Sequence, residues 1–415
     1  MNGTRLSNLA LVVMCIFGSG VSFANPVNFN FDEVKDSPIT ALIDIDTGYN
    51  DNLTREANET DAISSSFIKV FPGLAYTYKP SASRYSLLYV IDSGYFFNSK
   101  DDNYTDQYFE SNNLISFNPR NNLSLTYSYY ATHEERGTGL SEGTLESLAI
   151  AEPVEYTNQN IQTHYLYGAP SATGQLKFGL GYQDKTYTNY KSFTRNNIQY
   201  GSQFSDFTSK QFSAAFFYRL RASTKLSVSA ERDDKQYQYT AENTANRDNI
   251  TDYYSLGAMW DITDKTLGEI SVGLQDKEFS SNERSDFSGL SWRVKTDWLP
   301  QRHSKLSLFA SLSAEDPDQL GDYINETLVK LSWKQDWFER FSTTALVSWE
   351  NDDYTASSDI GNREDDTYLY QLDFNYQFSR ILHFGLYLSS EDKNSTWSAY
   401  RYDQQLVGLY TRIEL

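Results

Sequence analysis

The chain has 415 residues and a formal net charge of −20 at pH 7, and such acidity argues against nucleic acid as a partner. Aromatic residues make up 15% of it, whereas acidic disordered chains are poor in aromatics, so disorder does not describe this chain. No apolar run after residue 24 approaches the roughly 20 residues that a transmembrane helix needs.

The first 24 residues are predicted to be a cleaved secretory signal. Arg5 precedes an apolar run, LALVVMCIFG, and small residues end the segment at Ser22 and Ala24. The single cysteine, Cys15, would leave with this signal, which excludes disulfides, thiolate metal sites and cysteine nucleophiles from the mature chain. Residues 25–38 are then expected to form a short periplasmic segment.

From residue 39 onward, alternating segments follow one another along the chain. The first, ITALIDIDTGY, ends at Asn50, Asp51 and Asn52, residue types that hydrogen-bond their own backbone and favour turns. Counting such segments predicts eighteen strands. Their approximate bounds are 39–49, 65–79, 84–97, 104–118, 121–134, 154–169, 174–189, 205–220, 224–240, 249–262, 266–279, 286–299, 303–316, 322–337, 340–354, 364–379, 382–395 and 401–415.

Strict alternation identifies these segments as strands. In 305–315, leucine and alanine occupy every even position, and the odd positions are polar except for Phe309. In 368–378, aromatic residues and leucine occupy the even positions, whereas Gln, Asp and Asn occupy the odd positions from 371 to 377. A helix would need apolar spacings of three and four, so the period of two favours half-exposed strands.

The connections between the predicted strands are sorted by length. Every second one is short, such as NPRN, TDK and PQRH, and those between are longer and rich in Asp, Asn and Ser. This pattern is typical of an outer-membrane barrel with short periplasmic turns and long extracellular loops. We therefore predict an all-β fold, one antiparallel transmembrane β-barrel of about 18 strands over residues 39–415, with both termini periplasmic.

Aromatic residues concentrate near the predicted strand ends, which suggests two interfacial girdles. The periplasmic set is Trp298, Trp337, Tyr218, Phe341 and Phe378. The extracellular set is Tyr187, Tyr239, Phe279, Trp349, Tyr354 and Tyr370.

Alternation also predicts which polar residues face the interior. The candidate pore-lining residues are Lys177, Arg219, Arg293, Lys295, Lys330, Lys334, Arg412, Tyr387 and Tyr410. The bases would draw an acidic polymer inward, because low-dielectric walls focus the field. The alternative is a salt-bridged lattice with the acids of the same zone, which are Glu269, Asp297, Asp336, Asp373 and Glu414.

The chain resembles the putative β-barrel porin family (type two), outer-membrane proteins that accompany exopolysaccharide and capsule synthesis loci. The resemblance is carried by IDIDTGYNDNLTRE, by SSFIKVFPGLAYTYKPSASRYSLLYVID and by the closing QQLVGLYTRIEL, and it extends weakly over the mature chain. It implies export of a capsule or biofilm-matrix polysaccharide beside a periplasmic export protein. Outer-membrane lipid, lipopolysaccharide and the barrel assembly machinery are the other expected partners.

A diffusion porin, general or solute-specific, is the first alternative function, and residues 135–153 are the best candidate for its inward-folded constriction loop. An adhesin, a receptor or a barrel enzyme is the second alternative. Catalytic residues, cofactors and metals are not predicted. The four histidines lack a catalytic setting, and HEER at 133–136 is not the HExxH zinc motif. The acidic runs 350–353 and 363–366 are expected to be solvated outer loop rather than calcium sites.

Overall fold

The computed structural model describes residues 38–415, apart from 59, 144–149, 196, 263–264, 318–320 and 357–362. The predicted signal, 1–24, and nearly all of the predicted periplasmic segment, 25–38, lie outside the described residues. None of the described helices is long and apolar enough to cross a membrane.

Twenty strands are described. The first ten are β1 (Ile39–Asn50), β2 (Ser65–Tyr78), β3 (Arg84–Phe96), β4 (Tyr104–Asn118), β5 (Asn121–Glu134), β6 (Val154–Tyr167), β7 (Gly174–Tyr187), β8 (Phe193–Arg195), β9 (Ile198–Tyr200) and β10 (Phe207–Arg221). The others are β11 (Thr224–Tyr237), β12 (Asn249–Ile262), β13 (Thr266–Phe279), β14 (Phe287–Gln301), β15 (Ser304–Glu315), β16 (Tyr323–Phe338), β17 (Phe341–Thr355), β18 (Glu364–Gln377), β19 (Leu382–Ser395) and β20 (Tyr402–Glu414).

Eighteen of these strands form one closed antiparallel barrel, which confirms the predicted fold. Each barrel strand pairs with its neighbours in chain order, and β1 closes the ring by pairing with β20 from Leu42↔Glu414 to Asn50↔Leu406. Closure leaves neither terminal strand as a free sheet edge. The remaining two strands, β8 and β9, form a small hairpin in the connection between β7 and β10, which the sequence did not predict.

Exposure alternates along strands such as β7 because the two faces meet different surroundings. In β7, Phe178 and Leu180 are 50% and 60% exposed on the outer face, whereas Gln175 on the inner face is 5% exposed. The register keeps faces together around the ring, since residues paired across a ladder point to the same side. An apolar, lipid-facing exterior and a largely polar interior follow from this pattern.

The inner face also carries apolar packing. Phe71, Ala75, Leu88 and Val90, on β2 and β3, form a buried cluster against Tyr108 of β4. Four short 3-10 helices occur in the described connections, at Lys100–Asp102, Gly139–Ser141, Ser202–Ser205 and Ser398–Tyr400.

Candidate functional site

The connection after β1 is a compact, hydrogen-bonded turn. The side-chain amide of Asn52 donates to the carbonyls of Glu56 and Asp403, each at 2.9 Å, and its oxygen accepts from the Glu56 N–H at 2.9 Å. Gln404 donates to the Asn52 carbonyl at 2.6 Å. The polar residues that end the first strand therefore fasten the first loop to the start of the last strand, beside the seam where the barrel closes.

Arg55 extends this turn toward the interior. Its guanidinium donates to Glu135 at 2.8 Å and lies 3.9 Å from Glu391. Burial would raise the pKa of Glu135, but Arg55 and Lys69 outweigh burial and hold that pKa at about 2. The Arg55–Glu135 ion pair joins the first loop to residues 135–143, which we call the inner loop.

The inner loop leaves β5 and reaches the inner face of strands on the far side of the closing seam. Near its start, Arg136 donates from Nε to Asp102 at 2.7 Å. Near its end, Glu142 accepts from Arg363 at 3.0 Å and from Lys393 of β19 at 2.5 Å. The segment thus passes within the barrel from β5 to β19, the course expected of a constriction loop.

Gly137 shows how closely the inner loop packs on the first loop. It adopts φ +84°, and a Cβ there would lie 2.1 Å from the Thr54 carbonyl oxygen. At the other end, the Arg363 guanidinium lies 3.6 Å from the ring centre of Tyr400 and 4.3 Å from that of Tyr354. Close backbone packing at Gly137 thus holds the start of the inner loop. Cation–π stacking fixes Arg363, the partner of Glu142 at the end of the inner loop.

A second inward segment, residues 313–317, we call the β15 tail. The β13–β14 ladder continues to Lys277↔Phe287, but the β14–β15 ladder stops at Trp292↔Leu312. Beyond that point the tail lies across the inner face of β13. The Gln275 amide donates to the Ala314 carbonyl at 2.7 Å and accepts from its N–H at 2.8 Å.

Asp316 anchors the β15 tail. Its carboxylate is ion-paired with Lys235 and Lys277 and accepts from Asn249 at 3.2 Å. Burial would raise the pKa of Asp316, but the two lysines hold it far below its usual range. One carboxylate therefore ties the tail to β11, β12 and β13.

Tyrosine rings and carboxylates alternate on the inner face. Tyr130 donates to Glu110 at 2.5 Å, and Tyr387 donates to Asp46 at 2.8 Å. Further inner-face pairs are Tyr108 with Asp106, Tyr187 with Glu134 and Tyr402 with Glu391. Four of these five rings are only partly buried, so part of each of the four remains accessible from the interior.

The ladder register places all nine predicted pore-lining residues on the inner face. Lys177, Arg219, Arg293, Lys295, Lys330, Lys334, Tyr387, Tyr410 and Arg412 share that side. Arg412 is bound to Asp44, at 2.8 and 2.7 Å. Arg293, Lys295, Lys330 and Lys334 make no ion pair within 4 Å in the described part of the chain. That any of the nine lines a conducting pore stays a prediction.

Two sets of expectations from the sequence were wrong. Tyr187, Phe279 and Tyr354 belong to the inner face and not to an outer girdle. Tyr187 packs with Tyr156, and Lys277 and Arg284 lie over the Phe279 ring. The run 350–353 lies within β17, and 363–366 leads into β18, where Arg363 pairs with Asp365. These runs are therefore barrel wall and not solvated loop.

Part of the site could not be predicted from the sequence. Asp316 and Arg363 look like ordinary polar loop residues there, because Lys235, Lys277 and Glu142, with which they pair, are distant in the chain. Of the predicted constriction segment 135–153, residues 144–149 lie outside the described residues. Within the described residues, no cluster of three or more His, Cys, Asp or Glu has the arrangement of a metal site.

Comparisons with known proteins place the chain among porins. The family described as "Putative beta-barrel porin 2" matches residues 39–415, nearly the whole chain. No curated protein sequence matches it.

Solved barrels resemble the fold distantly. A BenF-like porin from Pseudomonas fluorescens Pf-5 is 8% identical with a TM-score of 0.49, covering 91% of this chain and 98% of that one. OpdK from Pseudomonas aeruginosa, solved with vanillate, is 12% identical with a TM-score of 0.47, covering 91% and 99%. The siderophore receptor PirA from Acinetobacter baumannii is 7% identical with a TM-score of 0.46, covering 91% and 80%. Neither ligand nor transport role transfers at this distance.

Proposed function

Because the chain belongs to the putative beta-barrel porin 2 family and is an outer-membrane channel protein, we propose that its cargo is carbohydrate and that it takes part in exopolysaccharide export. The observation that carries the proposal is the alternation of tyrosine rings with carboxylates on the inner face. Sugars present apolar faces and hydroxyl rims, so stacked rings and hydrogen-bond acceptors suit them together.

The arrangement supports weak contacts repeated along a path. Tyr130 and Tyr387 have hydroxyls held by carboxylates, which fixes the orientation of the rings. The Tyr402 hydroxyl is held by Glu391 in the same way, but Arg55 lies over that ring. A fixed ring loses little conformational entropy when a sugar stacks on it. Because each contact is small, a chain of sugar units can move from one ring to the next.

The proposal implies partners on the periplasmic side. A polymer made at the inner membrane must be delivered to the barrel, and a periplasmic polysaccharide export protein would deliver it. The short turns, such as the one between β4 and β5 at residues 119–120, would form that docking face. Lipopolysaccharide would surround the outer face, and the barrel assembly machinery would insert the chain.

A second candidate is a solute-specific diffusion porin. The inner loop and the β15 tail both lie within the barrel, as constriction segments of small-solute channels do. Glu142 and Asp316 fix these two segments by ion pairs. Polymer passage therefore requires the inner loop to move, whereas small-solute passage does not.

The test combines gene deletion with a locked inner loop. Deletion should abolish extracellular polysaccharide while leaving small-solute uptake nearly unchanged. Cysteines at Glu142 and Lys393, joined by a short bismaleimide, should block polymer export because the inner loop can then no longer move. The cross-link is specific because the only natural cysteine is Cys15, in the predicted signal. Each single-cysteine variant, treated with the same reagent, is the control.

One result would decide for the porin instead, and another would contradict only the movement of the inner loop. Normal polysaccharide in the deletion strain together with slowed solute uptake would select it. Unchanged polysaccharide export through the cross-linked barrel would contradict the need for loop movement.

A further inference from the structure

We propose that Arg293, Lys295 and Lys330, which we call the basic strip, form a binding site for a carboxylate-bearing sugar unit. The inference rests on the proposed carbohydrate function and narrows its cargo to an acidic saccharide. The three residues lie on the inner faces of β14 and β16, with β15 between them.

The register brings the basic strip together. Lys295 pairs with Phe309 of β15, and Phe309 pairs with Lys330 of β16, so the three form one row. Arg293 lies two residues along β14 on the same face. With strands about 4.8 Å apart, the two lysine Cα atoms lie about 10 Å apart, close to the length of a disaccharide.

The charges of the basic strip are not used by the fold. None of its members makes an ion pair within 4 Å among the described residues, and Arg293 Nε is buried without a hydrogen-bond partner there. Nearby Asp297 is occupied by Lys305 at 3.0 Å and by Ser307 at 2.6 Å. In a salt-bridged lattice, Asp297 and its neighbouring acids would instead be paired with the bases of the basic strip.

Neighbouring acids limit the site without closing it. Glu269 faces Lys295 across the β13–β14 ladder but forms no ion pair within 4 Å. Glu326 and Glu350 lie on the extracellular side of Lys330 on the inner face. Acids therefore lie on both sides of the basic strip, and the one next to it on the periplasmic side, Asp297, is already paired with Lys305.

A carboxylate-bearing sugar fits these groups. The arginine fork binds a carboxylate through two parallel hydrogen bonds, and each lysine adds a point charge. Phe309, between the two lysines in the row, offers a ring on which the apolar face of the sugar can stack. Neutral sugars would gain only the stacking.

Binding is measured with the full chain, folded in detergent, by titration calorimetry. The probes are tetragalacturonate and a neutral oligosaccharide of the same length. The wild-type protein should bind the acidic probe about tenfold more tightly, and this preference should fall as salt screens the charges. R293Q/K295Q/K330Q should lose the preference.

The matched control is Lys305→Gln. Lys305 has the same charge and lies on the same wall, but Asp297 already holds it. This variant should keep the wild-type preference. Lys295→Gln alone removes the most exposed member of the basic strip and should cost about threefold, which provides a test if the triple variant fails to fold.

Equal affinity for the two probes in wild type, or an unchanged preference in the folded triple variant, would overturn the basic strip as an acidic-sugar site. The outcome is separate from that of gene deletion. Acid-selective binding with normal polysaccharide in the deletion strain would keep the site and reject export. Lost polysaccharide without acid selectivity would keep export and reject the site.

Discussion

Two regions of the barrel interior use charge differently. Toward the extracellular end, buried bases have acidic partners, as Arg136 has Asp102 and Arg284 has Asp322. Near the middle of the barrel wall, the basic strip makes no ion pair among the described residues. The paired bases stabilise the fold, whereas the bases of the basic strip remain available to a ligand.

The difference has a physical origin. Loops pay conformational entropy to become ordered, and they have no ladder of backbone hydrogen bonds to offset it. Ion pairs such as Glu142 with Arg363 supply part of that free energy at the extracellular mouth. Strand residues such as Lys295 are already fixed by two ladders and need no ion pair for order.

The largest effect is expected at the anchor of the β15 tail. Asp316→Ala leaves Lys235 and Lys277 buried without their anion, which should lower the free energy of unfolding by about 3–5 kcal/mol. Denaturant unfolding of the detergent-folded barrel measures it. Asp297→Ala, which removes a more exposed ion pair, should cost about 0.5 kcal/mol. Similar losses of unfolding free energy for Asp316→Ala and Asp297→Ala would contradict the distinction between the buried anchor and the more exposed ion pair.

A smaller effect is expected where the inner loop reaches β19. Glu142→Gln cannot hold Arg363 and Lys393 together, so the free energy that holds the loop should fall by about 1–3 kcal/mol. Trypsin should then cleave after Arg136 about tenfold faster, since 1.4 kcal/mol is tenfold in an equilibrium. Glu152→Gln, an exposed change in the same connection, is the control. Equal cleavage rates would mean that Glu142 does not hold the loop.

The smallest effect is expected from acid. Ionised Glu135 has a pKa of about 2 in the folded chain against an ordinary 4.5. Its contribution is therefore complete above about pH 4.5 and is lost as pH falls toward 2. Its side chain is 37% exposed, so screening makes the contribution small. Cleavage by pepsin in the inner loop should accelerate from pH 4.5 to 2 in wild type. In Glu135→Gln it should already be fast at pH 4.5, and an unchanged profile would contradict the assignment.

Most of the barrel could be predicted from the sequence because alternation reports directly on two unlike faces. The inward side of Lys295 followed from a period of two, and the end of β1 at Asn50 followed from the turn-forming Asn and Asp residues there. The course of the β15 tail did not, because a polar residue reads alike whether it meets water or a buried base. Asp316 and Lys277 meet only through tertiary structure, and nothing in their local sequence marks the pair.

Tyr354 shows the same limit from the other side. An aromatic residue near a strand end suits a membrane interface, yet this ring packs beneath Arg363 inside the barrel. The sequence could place Tyr354 near the end of its strand, but it could not show whether the ring contacts lipid or the Arg363 guanidinium. The inner loop was foreseen as a segment, but its endpoint at Lys393 required the folded chain.

The inward turn of the β15 tail also alters the wall that it leaves. Residues 287–291 of β14 pair with β13 on one side and have no ladder partner in β15 on the other. Gln275 bonds to the backbone groups of Ala314, but no described strand pairs with residues 287–291 on that side of β14. A closed cylinder thus regains a short free edge, and an edge can accept a strand. Residues 287–291 of β14 thus form a position in the barrel wall where a further strand could pair, next to the β15 tail.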